Sequence, residues 1–412
     1  MKSKKFMLAG LVLLAITMVL LPLSSCKNDS VPETPKYQVT FDVGGNRETT
    51  APKPIIVESG TKLTAEQVPE LSDTSSYQFM GWYLGDTEIK AGYTVREPVT
   101  VTARWQGTNL TFTAEGEQSL TIRAVEFMEI PDSMEYSTDG GEIWYKPEVG
   151  TPISFGNGTK LYLRAKSSIG TAENINDCLN FLFGTEVKVA CSGDIRTLVD
   201  YTNPTGADTS KARFCYLFAA CSQLTQAPEL PATTLANECY GYMFYGCTGL
   251  TQAPELPATN LADSCYFNMF SGCTSLAQAP ELPAKALADG CYSNMFRDCT
   301  SLAQAPELPA ETLADNCYAN MFYGCTSLTQ APELPAETLA DSCYYGMFSG
   351  CEKLDSVTML AKTNVNADNA LYDWLKDTAA DGTLYVASGM ETNEEITGSL
   401  PTGWKVAVAA TN

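Results

Sequence analysis

Eleven cysteines fall on two interleaved registers of 26 residues: Cys221, Cys247, Cys273, Cys299, Cys325 and Cys351 on one, Cys239, Cys265, Cys291, Cys317 and Cys343 on the other. Thiols in such a pattern could cross-link, hold a metal or act as nucleophiles. Nucleophilic use needs a base, and the chain has no histidine, which removes Ser-His-Asp and Cys-His systems and every zinc site that borrows an imidazole. The acids are as regular: Glu229, Glu255, Glu281, Glu307 and Glu333 form a column. Glycoside hydrolysis needs two carboxyls in different environments, and near-identical glutamates provide no such asymmetry. A solvated edge is favoured over a calcium-bridged one. No residue is therefore assigned to catalysis or to a metal, no cofactor is expected, and the chain reads as a non-enzyme.

The element that carries the cysteines is a repeat. Cys239-Tyr-Gly-Tyr-Met-Phe-Tyr-Gly-Cys247 is followed by Leu250 and by Gln252-Ala-Pro-Glu-Leu-Pro-Ala258, a string that recurs at 226, 278, 304 and 330. A fixed period of this length means a solenoid or array. At about 100° per residue, Cys239, Tyr240, Met243, Phe244 and Cys247 form one apolar arc, so a short helix per repeat is expected, with its apolar side stacked on the next. On such a helix the two cysteines of a repeat stand about 12 Å apart, beyond disulfide reach. An apolar arc favours buried free thiols over disulfides between coils and over a metal ladder; Cys178 and Cys191, outside the ladder, could pair. Tyr242, Tyr245, Phe267, Tyr323 and Tyr345 take the changing, outward positions and are the candidate partner-binding residues.

Upstream lie two β-rich stretches. Residues 37–105 alternate like strands, and 106–200 continue the alternation with hairpin signals at Asp139-Gly140-Gly141 and Gly156-Asn157-Gly158. Trp144 is a candidate sugar platform, though a buried aromatic beside a hairpin is favoured. Lys2, Lys4 and Lys5, then an apolar run from Phe6 to Leu21, then Leu23-Ser24-Ser25-Cys26, resemble the signal peptide and lipobox of bacterial lipoproteins, which implies lipidation of Cys26. With 26 Lys+Arg against 48 Asp+Glu, the net charge of −22 argues against nucleic acid.

Two further resemblances follow from motifs. Val39-Thr40-Phe41-Asp42, Phe79-Met80-Gly81-Trp82-Tyr83 and Val101-Thr102-Ala103-Arg104-Trp105 resemble the internalin B-repeat family, which implies a β-grasp-like module. The Cys-Tyr-x-x-Met-Phe-x-x-Cys unit with Pro-Glu-Leu-Pro-Ala resembles the cysteine-rich BspA-type leucine-rich repeats of bacterial surface lipoproteins, with a C-terminal cap around Asp373-Trp374 and Leu400-Pro401-Thr402-Gly403-Trp404. Proline and alanine at 253–254 and their counterparts depart from that pattern and make short bridges per coil the expectation rather than a continuous parallel sheet.

The expected organisation is a signal peptide (1–25), a lipidated tether (26–36), the internalin-like domain (37–105), a second β domain (106–200), leucine-rich repeats (201–351) and a cap (352–412). The fold class is multidomain, with β-rich modules followed by an α/β leucine-rich-repeat solenoid. The resemblance implies an outer-membrane lipoprotein exposed at the cell surface that binds host matrix or another cell. The alternative is a glycan-capture lipoprotein that uses a β domain.

Overall fold

The structure, a computed structural model, describes residues 34–43, 49–74, 77–85 and 87–410. Cys26 and the leader lie outside the described residues. The described chain is β-rich, with several sheets. Among the described residues the α-helices are α1 (Thr197–Asp200) and α2 (Glu394–Gly398), about one turn each, and no helix is long and apolar enough to cross a membrane.

β1 (Lys36–Asp42), β2 (Ile55–Glu58), β3 (Tyr77–Leu84), β4 (Thr87–Ile89) and β5 (Val99–Gly107) form one sheet in the order β2-β1-β5-β3-β4, parallel only between β1 and β5. Alternation decides its buried face. Val39, Phe41, Val99, Val101, Ala103 and Trp105 point inward around Trp82 and form a core of their own. The two indoles place their N–H groups on carbonyls, Trp82 on Pro69 at 2.6 Å and Trp105 on Val43 at 2.9 Å.

The next strands are β6 (Leu110–Ala114), β7 (Gln118–Ala124), β8 (Glu135–Ser137), β9 (Ile153–Phe155), β10 (Leu161–Arg164), β11 (Leu179–Phe183), β12 (Val189–Ser192) and β13 (Leu224–Gln226). They build a β13-β12-β6-β10-β8 sheet and a β11-β7-β9 sheet. Their core is not separate from that of the repeats. Phe112 and Phe181 pack on Phe218 at 6.3 and 5.5 Å, and one apolar cluster runs from Leu110 to Trp404. β12 runs parallel to β13, so these strands form the first layer against which the coils stack.

The expected helix in each repeat is not what forms. From 239 to 247, alternate amides close turns within the coil, as Gly241 N does to Glu238 O and Met243 N to Tyr240 O. The amides between them reach the next coil, as Tyr240 N does to Cys265 O, Tyr242 N to Phe267 O and Phe244 N to Met269 O. Every fourth residue takes a positive φ: Glu238, Tyr242 and Gly246 in one coil, Ser264, Asn268 and Gly272 in the following one. The ribbon is thus a run of β-turns whose backbone is satisfied half within the coil and half across coils. The α part of the expected α/β repeat is absent for that reason.

The inward residues stack in columns. Phe218, Phe244, Phe270, Phe296, Phe322 and Phe348 follow one another at 5.5–5.8 Å between centroids. A parallel column runs from Phe214 through Tyr240 to Tyr344 and is closed by Trp374 at 6.3 Å. On the proline side, neighbouring coils meet only in isolated parallel bridges such as Gln252 with Gln278 and Gln304 with Gln330. A continuous parallel ladder of four-residue registers forms where proline is gone, through β15 (Ser356–Met359), β16 (Thr383–Val386) and β17 (Lys405–Val408); β14 (Glu333–Leu334), between Pro332 and Pro335, adds two residues at its edge.

Candidate functional site

The five outward aromatics do not make one strip. Tyr242 is half-buried; its ring lies flat on Tyr216 at 4.5 Å and edge-on to Tyr245 at 5.7 Å and to the half-buried Phe267 at 5.3 Å. Tyr245 is 45% exposed. At the far end Tyr345 stacks on Tyr372 at 5.4 Å, with exposures of 36% and 54%. Between the two groups, Tyr323 lies under the Arg297 guanidinium, 4.2 Å from the ring centre. The positions equivalent to Tyr242 carry Asn268, Asn294 and Asn320 in the middle coils, where the left-handed backbone favours asparagine. The array therefore has an aromatic group at each end and a polar middle. Tyr216 and Tyr372, missed as candidates, are the outer members of the Tyr242 column, and the 26-residue register extended by one unit each way points to both.

The proximal group borders an open cleft of about 650 Å³ lined by residues 123, 125–127, 175–178, 180, 216 and 219–220. Its rim carries Phe127, which is 89% exposed. Ile175 stands on the same wall, held by its N–H to Glu238 Oε2 at 3.3 Å. Nothing in the periodicity marks Phe127 or Ile175.

No family model, curated protein or solved structure matches the chain.

The fourteen cysteines among the described residues are buried and unpaired. Cys247, Cys273, Cys299, Cys325 and Cys351 each donate Sγ–H to the phenylalanine carbonyl of the preceding coil, at 2.9–3.1 Å. Cys221 does the same to Phe181 O at 3.0 Å. Each such carbonyl inside the array also accepts the amide of the cysteine in its own coil, as Phe244 O does from Cys247 N, so both lone pairs are used. Burial pushes the thiols up, Cys273 and Cys351 to about 12 and Cys247, Cys299 and Cys325 well above 9.0. Such thiols are protonated donors and poor nucleophiles. Cys178 and Cys191 do not pair: Cys178 packs with Ala172 and Cys215 in a small cluster, while Cys191 belongs to the main core.

Glu255, Glu281, Glu307 and Glu333 are exposed and Glu229 half-buried, and among the described residues no three metal-ligating side chains converge. Trp144 is half-buried, not enclosed. The Arg164 guanidinium covers it at 3.6 Å, lies 4.3 Å from the Tyr201 ring and is held by Glu135 Oε2 at 2.8 and 3.0 Å. One ring face that a sugar would use is thereby occupied.

Proposed function

We propose that the protein is a lipid-anchored cell-surface recognition protein, attached through Cys26 to the outer membrane, that binds a protein partner with the outward face of leucine-rich-type coils. The supporting observation is the set of exposed tyrosines on a scaffold whose backbone is hydrogen-bonded within and between coils. Aromatic side chains fixed on a rigid frame bind with little loss of side-chain entropy. The β-rich modules before the coils act as spacers in this reading, in line with the internalin B-repeat and BspA-type resemblances. The partner is a host matrix protein or a protein of another cell.

The test has two parts. Protease added to intact cells should release the mature chain. Capture of matrix or cell-surface protein by the full chain should fall about tenfold or more when Tyr245, Tyr323 and Tyr345 are all replaced by alanine. Unchanged capture by the triple variant would remove the coil aromatics from the interface, and capture confined to a glycan array would favour a carbohydrate ligand.

A further inference from the structure

The cleft at the head of the coils is the feature that the repeat does not explain. Its rim residue Phe127 is 89% exposed, yet its backbone is fixed. Val125 N bonds Cys178 O at 3.0 Å, Met128 N bonds Val125 O at 3.1 Å, and Phe127 N bonds Asp177 Oδ1 at 3.1 Å. Within this turn Glu126 holds a φ of 52°, a left-handed conformation that is costly for a residue other than glycine. The chain thus spends local strain and an exposed phenyl ring to hold Phe127 beside a cleft, a combination that marks functional sites more than spacers.

The walls are apolar and the surroundings acidic. Ile175 and Tyr216 line the cleft with Phe127, and the small or buried Cys178, Ala219 and Ala220 leave room between them. Tyr216 continues into the stacked Tyr242 and the exposed Tyr245. Glu126 and Asp177 line the cleft, Glu173 lies in the same loop as Asp177, and Glu238 holds that loop through Ile175 N. Against these four carboxylates stand Arg123 in the lining and Arg213 on the first coil, whose guanidinium bonds Asn237 O beside Glu238, so the balance around the cleft stays acidic. A volume near 650 Å³ is in the range of a ligand pocket and takes more than one large side chain.

We propose that this cleft binds an extended segment of the partner polypeptide that inserts a bulky apolar side chain between Phe127 and Tyr216 and places flanking lysine or arginine residues against the surrounding carboxylates. The proposal rests on the recognition role above and locates it at the junction of the β strands with the first coil. An acidic or uncharged segment lacks the complementary charge, and a basic segment without the apolar anchor leaves the cleft unfilled.

The probe is a fluorescent peptide of one tryptophan flanked by two lysines on each side, titrated by anisotropy into the full chain in detergent at moderate salt. Binding should weaken about tenfold when the tryptophan becomes alanine or the lysines become glutamates, and about tenfold for Phe127→Ala. Ile56→Ala, at another exposed apolar residue that lies in β2 and outside the cleft lining, should bind as the parent does. Since Phe127 is solvent-exposed, its truncation leaves the fold intact, and an unchanged far-ultraviolet spectrum checks this. Equal binding of the glutamate peptide, or undiminished binding by Phe127→Ala, would overturn the proposal. Failure here with capture still lost in the tyrosine triple variant removes only the cleft; loss of both results removes the recognition reading as well.

Discussion

Alkaline pH is the perturbation to which this core is most exposed. A thiol is neutral when protonated, and burial raises its folded pKa above the ordinary 9.0, to about 12 for Cys221, Cys273, Cys343 and Cys351 and to about 11 for Cys178. The unfolded chain therefore releases thiol protons from about pH 9, while the folded chain retains them. Below pH 9 the contribution is intact; above it, stability falls with each proton the unfolded state has lost. Per thiol the loss is about half a kcal/mol at pH 9 and between about 1 and 2 kcal/mol at pH 10. For the fourteen buried thiols this reaches about 20 kcal/mol at pH 10, more than the 5–15 kcal/mol that holds a typical domain together. The column tyrosines Tyr240, Tyr266, Tyr292, Tyr318 and Tyr344, also pushed up by burial, add to the slope above pH 10. The coils should therefore open between about pH 9 and pH 10, with thiolate absorbance and loss of circular dichroism appearing together under a phosphine reductant and without oxygen. Thiolate absorbance that rises near pH 9 while the dichroism persists would refute the buried-thiol account. A transition without thiolate absorbance would show that the cysteines are bonded.

Other expectations follow from single contacts. Arg196→Ala should cost about 3–5 kcal/mol in urea unfolding, because Asp194 is fully buried and its carboxylate is held by Arg196 at 2.7–3.1 Å; a loss under 1 kcal/mol would mean that water reaches Asp194. Gly350→Ala should destabilise by about 1–2 kcal/mol, since Gly350 has a φ of +76° and a Cβ would stand 3.4 Å from Gly324 Cα; thermal unfolding tests it. Asn294→Gly, at a left-handed position already, should change stability by less than about 0.5 kcal/mol, whereas Asn294→Val should cost more than 1 kcal/mol.

The repeat, its inward residues and its thiols were legible in the sequence because burial in a stack imposes one residue type at one position per coil. Met243, Phe244 and Cys247 recur for that reason, and all three are buried. The backbone that carries them was not legible from the apolar pattern. A helix advances about 100° per residue and a run of four-residue turns about 90°, so over one short segment both place Cys239, Met243 and Cys247 on the same side. The distinguishing signal lay on the other face, in the Ser, Asn, Asp and Gly residues four apart at 264, 268 and 272 and at 290, 294 and 298, which suit a positive φ.

The site divides in the same way. Tyr245 and Tyr345 could be placed outward because a periodic ladder fixes which positions face solvent, and both are exposed. That Tyr323 is covered by Arg297 depends on the side chains that meet across coils. The cleft joins Phe127, Ile175 and Tyr216, which are 48 and 41 residues apart in sequence and belong to no common period. Sequence alone determined a stacked, thiol-lined array with outward aromatics, because each coil repeats the same local demand. Only the tertiary structure decided the turn ribbon, the core shared with the preceding strands and the cleft at their junction, because these depend on hydrogen bonds and contacts between segments that no local pattern connects.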